Sequence, residues 1–242
     1  MAKQNFFYTP MSRTEHICGW LLLAARTWLL PPLFSTILLI LFPDAGNVTL
    51  QLTLFAVNFI AALILFRKFL AASLRDVADR WGSALWKTLL MLAFCKVSGI
   101  VMNDFIFFFC PEYFLYTDTG PVLININDMS IAMMAQEQMV LVTLGAVVLA
   151  PVVEELLYRG AVFGSLYPKS PLLAGLISTL LFAVLHVLPY INMADKVYLV
   201  ILFVQYIPPA LCLCWLYTAT DTILAPILMH ILFNVLGALA LR

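Results

Sequence analysis

A chain of 242 residues that is 64% hydrophobic and only 11% charged is no soluble globular domain, because such domains carry about 25% charged residues. Thirteen basic and thirteen acidic residues give a formal net charge of zero, which speaks against a nucleic-acid partner and against a polybasic membrane anchor. No polar stretch is long enough for a separate soluble domain, so the composition predicts an all-α, polytopic integral membrane bundle.

A membrane crossing needs about twenty apolar residues. Seven stretches qualify: 17–42, 48–66, 88–109, 139–167, 171–188, 197–218 and 222–241. No cleavable signal is expected at the amino terminus, where about fifteen polar residues precede an apolar run of some twenty-five. The first stretch contains Arg26 and two prolines at 31–32, which predicts a kink or an interfacial start, with Arg26 snorkelling to an interface. "RKFLAASLRDVADRWGSALWK" (67–87) is amphipathic and is expected to lie at the membrane surface. The aromatic run "FIFFF" at 105–109 reads as a lipid-facing belt. Residues 110–137 form the longest polar connection and hold Glu112, Asp118, Asp128 and Glu137 with no base.

Lysine and arginine set the expected orientation. With the amino terminus cytoplasmic, inner segments hold Lys3, Arg13, Arg67, Lys68, Arg75, Arg80, Lys87 and Lys169, and outer segments only Lys196 and Arg242. A cytoplasmic amino terminus and an outer carboxyl terminus follow, in a membrane expected to be a prokaryotic plasma membrane. The five cysteines lie mostly in apolar runs and read as small hydrophobes. Cys212 and Cys214 are spaced to point apart on a helix, so they form neither a metal knuckle nor a redox pair.

The fourth stretch carries "APVVEELLYRG" (150–160), with Glu154, Glu155 and Arg159 where a charge costs about 2.5–3.5 kcal/mol. Glu155 and Arg159 are four apart, on one helix face, in the acid-before-base order of a helical ion pair. Glu154 is rotated about 100° away and has no cation within a turn, so it reads as the free carboxylate. Glu154 and His186 are equally far from the turn "PKSP" (168–171), each about 24 Å along its helix, so antiparallel packing can bring them together. His230 and Asn234 share a face of the last stretch. A partly desolvated glutamate can deprotonate water, histidines can bind a divalent metal or donate to an oxyanion, and Asn234 is a neutral oxyanion donor. This combination describes hydrolysis of a carbonyl substrate by activated water. One free carboxylate and two histidines permit one zinc-like ion or none.

These residues carry a resemblance. Glu154-Glu155-Leu-Leu-Tyr-Arg159 resembles the EExxxR motif of the CAAX protease and bacteriocin-processing (CPBP, or Abi) family of intramembrane proteases. Phe182-Ala-Val-Leu-His186 matches its FxxxH motif and His230-Ile-Leu-Phe-Asn234 its HxxxN motif. The resemblance covers about residues 139–242, a four-helix catalytic core, with residues 1–138 as further transmembrane helices of one integrated domain. It implies an endopeptidase in which Glu154 activates water with His186, His230 and Asn234 hold the oxyanion, and Glu155 and Arg159 support the site. The implied partners are the bilayer and a peptide or protein substrate, prenylated or secreted. The cofactor is a zinc-like ion at His186 and His230, or none.

Plainer readings stand beside these. Glu155 and Arg159 serve as a structural ion pair, Phe182 as packing that shapes a cavity, and Asn234 as helix–helix glue. Lys96 and Asn103 share a face as a packing cluster, and Gln205 precedes a proline kink at 208–209. Two other functions fit the composition. A non-catalytic scaffold or regulator would bind a sensor kinase or bacteriocin receptor, and a transporter would use Glu154 and the histidines as a proton relay.

Overall fold

In hydrocarbon every backbone N–H and C=O must be satisfied within the protein, and long helices do this segment by segment. The structure is a computed structural model that describes residues 10–118 and 120–240. In chain order it runs through α1 (Arg13–Leu41), α2 (Asn47–Leu65), the short α3 (Arg67–Val77) and α4 (Trp81–Phe109). A hairpin of β1 (Phe114–Thr117) and β2 (Gly120–Leu123) and the short α5 (Ile126–Glu137) follow. The chain then continues through α6 (Met139–Leu166), α7 (Pro171–Tyr190), α8 (Lys196–Thr220) and α9 (Leu224–Ala240). By length and composition α1, α2, α4, α6, α7 and α8 can each cross a membrane, whereas α9, of 17 residues, is shorter. The protein is a polytopic helical membrane protein, as its composition predicts.

Two expectations need correction. The surface segment ends earlier than its polarity suggests: residues 81–87 belong to α4, and only 67–80 form the connector. Lys87 can sit in a long helix because its Nζ donates to the Ala219 carbonyl, 2.7 Å away at the end of α8. Nor does Arg26 snorkel; it turns inward to Glu154. The aromatic run does face outward, with Phe105, Phe108 and Phe109 exposed, although Ile106 within it is buried. Gln205 bridges Asn103 and Asn125 at 3.3 Å each, whereas Lys96 lies over the Phe233 ring at 3.9 Å, so the amides pack against one another and the lysine against an aromatic face.

Arg80 facing Asp221 at 3.5 Å joins the start of α4 to the end of α8 on one side of the bundle. Opposite, the Tyr113 hydroxyl donates to Asp195 at 2.9 Å. Asp195 also caps α8, accepting from the Tyr198 N–H, and this hydrogen bond, with that from Tyr113, holds its carboxyl below the usual carboxylate range. Lys3 and Arg242, used above to read orientation, lie outside the described residues.

The packing that matters most for the site is α1 on α6. A Cβ added at Gly19 would overlap the Ala161 Cβ, so the two helices touch nearly backbone to backbone. Met11 covers Gly160, and His16 donates from Nδ1 to the Ala161 carbonyl at 3.1 Å. Trp20 Nε1 reaches Ser165 Oγ at 3.2 Å. Upstream, Ser12 and Glu15 form a capping box, and Glu15 Oε1 accepts from the Phe69 N–H, which ties α1 to α3. Gly19→Leu forces α1 off α6 and should destabilise the protein by about 1–3 kcal/mol through overpacking. A melt in detergent checks this; an unchanged midpoint would show that the close approach is not needed.

Candidate active site

The middle of α6 is unusual in two respects: it is buried almost throughout, and it is not a regular α-helix. Residues Gly145–Leu149 and Leu156–Phe163 take π-helical turns on either side of Ala150–Glu155. Such turns widen the helix locally and re-aim the side chains that follow, and they recur at functional sites. Pro151 lies inside this continuous helix, where its missing N–H leaves a carbonyl of the preceding turn without its usual helical partner.

Glu155 and Arg159 are each 0% exposed and pair at 3.0 Å, as their spacing predicts. Arg159 also donates from Nη2 to the Ala210 carbonyl at 3.1 Å, and its guanidinium lies 4.7 Å from the centre of the Phe182 ring. The same Glu155 Oε1 lies 2.7 Å from His230 Nδ1. One oxygen therefore ties α6 to α9 and to the arginine one turn on.

Glu154 faces the other way. Its Oε2 is 3.6 Å from His186 Nε2 and 4.0 Å from His230 Nε2. The equal-depth estimate for Glu154 and His186 across the 168–171 turn agrees with this meeting. Its Oε1 accepts from Arg26 Nη2 at 3.2 Å, so it is not the free carboxylate its local sequence suggests. The cation comes from α1, 128 residues away.

The hydrogen bonds fix where the histidine protons sit. His186 Nδ1 is 2.8 Å from the Phe182 carbonyl, an acceptor only, so Nδ1 carries the hydrogen and the neutral ring presents a bare Nε2. His230 Nδ1 faces a carboxylate oxygen and must also donate, so the neutral form of this ring likewise presents a bare Nε2. Three lone pairs, from Glu154 Oε2, His186 Nε2 and His230 Nε2, converge at separations too long for direct hydrogen bonds. Acceptors that face one another need a proton donor or a cation between them.

Phe182 walls this space, its ring 4.2 Å from His186 and 5.8 Å from His230. Tyr206, which the sequence did not mark, stacks 4.6 Å from His186 on the other side. Asn234 lies on the same face as His230, but its Nδ2 donates to the Ala146 carbonyl at 3.1 Å, leaving one amide hydrogen uncommitted. A divalent ion would find suitable donor atoms in the two bare Nε2 groups. Yet among the described residues no three histidine, cysteine or carboxylate side chains are arranged to hold one.

Comparison with known proteins agrees with the motif reading. Residues 136–236 match the Rce1-like family, described as Type II CAAX prenyl endopeptidase Rce1-like. The matched segment is thus similar to that family over the same residues that carry the three motifs. It takes in α6, α7, α8 and most of α9, and with them every site residue named so far except Arg26. A curated relative, "Putative membrane peptidase YdiL" of Bacillus subtilis (strain 168), is 32% identical over 88 residues. That alignment spans 36% of this chain and 32% of the relative. No solved structure matches the chain.

Arg26 is what the sequence reading missed. A signal existed. Arg26 lies about 20 Å along α1 from its start and Glu154 about 18 Å along α6 from its end, similar depths for antiparallel neighbours.

Proposed function

We propose that the protein is an intramembrane endopeptidase that hydrolyses a peptide bond of a bilayer-associated peptide with glutamate-activated water. The observation that carries this reading is the meeting of three bare acceptor atoms, from α6, α7 and α9, in one walled space. A water molecule there can donate one hydrogen to Glu154 Oε2 and the other to His186 Nε2. As its oxygen attacks the scissile carbonyl carbon, one water proton passes to Glu154 and a tetrahedral oxyanion forms. When the carbon–nitrogen bond breaks, that proton goes to the leaving amine, and the products are a carboxylic acid and an amine. The oxyanion donor is the spare amide hydrogen of Asn234. The neutral His230, whose Nδ1 hydrogen is committed to Glu155, has no hydrogen left for the oxyanion and borders the water site through Nε2 instead.

The Rce1-like description makes a prenylated CAAX-type tail the first substrate class to try. Secreted peptide maturation and bacteriocin immunity are further roles of the same chemistry. The proposed orientation keeps the amino terminus cytoplasmic, because Arg67, Lys68, Arg75, Arg80, Lys87 and Lys169 cluster toward that side. The test is mass spectrometry of peptides and lipoproteins from cells carrying wild type, Glu154→Gln or no protein. A product made by wild type and absent from the other two supports the reading; identical profiles in all three refute it.

A metal-bound alternative would use His186 and His230 as ligands and lower the pKa of a bound water. The arrangement described here routes no step through an ion. Treatment with a strong chelator should therefore leave cleavage within about twofold of the untreated rate, and full loss restored by zinc would assign the histidines to a metal instead.

A further inference from the structure

We propose that Arg26 is a positioning residue for Glu154, delivered to the site by a helix outside the segment that matches the Rce1-like family. The inference rests on the hydrolytic reading of Glu154 given above. Glu154 has two oxygens with different tasks: Oε1 meets Arg26 Nη2 at 3.2 Å, and Oε2 faces the two imidazoles at 3.6 and 4.0 Å. With Oε1 pinned, the carboxylate cannot rotate about its terminal torsion, which is otherwise broad and roughly two-fold. Released, it could rotate and turn Oε2 away from the space in which water must sit.

Two features separate this contact from an ordinary structural ion pair. The first is its economy. Arg159 spends two nitrogens, on Glu155 and on the Ala210 carbonyl, and leaves only Nε without a partner. Arg26, among the described residues, hydrogen-bonds to Glu154 alone, and its Nη1 is buried with no partner. A guanidinium kept for anchorage would be expected to use more of its donors.

The second feature is register. Arg26 is seven residues after Gly19, and Glu154 is seven residues before Ala161. Seven residues is about two α-helical turns, which brings Arg26 back near the face of Gly19. On α6 the π-helical turn over Leu156–Phe163 lies between the two positions and shifts that relation. The tight Gly19–Ala161 contact thus acts as a reference point from which antiparallel packing carries Arg26 to the depth of Glu154. A π-helical turn over Ala25–Leu29 then adjusts its aim, and Thr27 Oγ1 bonding the Leu23 carbonyl at 2.8 Å sits inside it. Pro31 and Pro32, which lack N–H groups, follow in the next turn.

The test uses the full chain purified in detergent, as wild type, Arg26→Gln and Arg26→Lys, each checked by thermal melting. Dicyclohexylcarbodiimide, which attacks carboxyl groups in their protonated form, is the probe, and mass spectrometry reads its adduct on Glu154. Arg26→Gln should raise that labelling about tenfold, and Arg26→Lys, which keeps the charge, should hold it near wild type. In parallel, cleavage of a farnesylated peptide ending in a CAAX-type sequence should show kcat lowered about 10- to 100-fold in Arg26→Gln at unchanged KM. Equal labelling in well-folded Arg26→Gln and wild type overturns the proposal. If Arg26→Gln does not fold, Arg26→Lys decides by rate. A flexible ammonium lacks the rigid guanidinium plane that aims Nη2 at Oε1, so kcat should fall about threefold or more, and a wild-type rate overturns the proposal. Glu154→Gln separates the two layers. Cleavage that survives it sinks the hydrolytic reading while the labelling still reports on Arg26; cleavage lost there but intact in Arg26→Gln sinks the positioning role alone.

Discussion

Glu154→Gln should cut the rate of product formation by at least about 100-fold, with the protein folded and correctly inserted, because a positioned general base contributes about 10²–10⁴-fold. The substitution is nearly isosteric. Glutamine keeps an oxygen that can accept from Arg26 Nη2, now 3.2 Å from Oε1, and it keeps the side chain's shape beside the two imidazoles. What it cannot do is take a proton from water. Loss of rate without loss of melting temperature is therefore the signature of the role assigned here, measured by single-turnover cleavage beside a melt. Equal losses in both would mean that Glu154 matters to the fold instead. A scaffold that only binds a partner should retain its function in this variant, which is how that reading would be recognised.

Glu155→Ala should destabilise the protein by about 3–5 kcal/mol, the cost of stranding a buried guanidinium. Its Oε1 serves both Arg159 at 3.0 Å and His230 at 2.7 Å, and neither Glu155 nor Arg159 has any exposed side-chain surface. Removing the carboxylate leaves Arg159 with only the Ala210 carbonyl. Replacing both partners by apolar groups, Glu155→Leu with Arg159→Met, should recover much of the stability, since a buried pair rarely outperforms packed hydrocarbon. It should not recover cleavage, because His230 loses the acceptor that orients its ring. A double-mutant cycle in melting temperature, run beside cleavage rates, separates these outcomes. A fully active double variant would show that the pair has no bearing on the histidine.

How far the molecule could be read from its sequence differs by feature, for physical reasons. The Glu155–Arg159 pair follows from spacing alone, because neighbours four apart on a helix cannot avoid one another. Glu154 and His186 were also within reach: a short turn ties their helices, and a constant rise per residue converts sequence distance into depth. Contacts between helices with no such tie were not. Nothing local says that His230 Nδ1 selects Glu155 while its Nε2 faces Glu154, or that Asn234 commits an amide hydrogen to Ala146. The π-helical turns of α1 and α6 leave no periodic mark in an apolar run, yet they alter where the following side chains point. Residues 81–87 were misplaced because their polarity resembles a surface segment, whereas Lys87 is held by a carbonyl from α8.

The pairing of Gly19 with Ala161 and of Arg26 with Glu154 has an effect on how the chain can vary. Inserting one residue between Gly19 and Arg26 would swing the guanidinium about 100° around the helix and move it about 1.5 Å along it. The same insertion in the link between α1 and α2, residues 42–46, leaves both contacts as they are. A length change is thus harmless in one place and ruinous a few residues away, although every side chain named in the site is untouched by either. The window from Gly19 to Arg26 works as a ruler. What it preserves is a distance, and a comparison that counts only matching letters would pass over it.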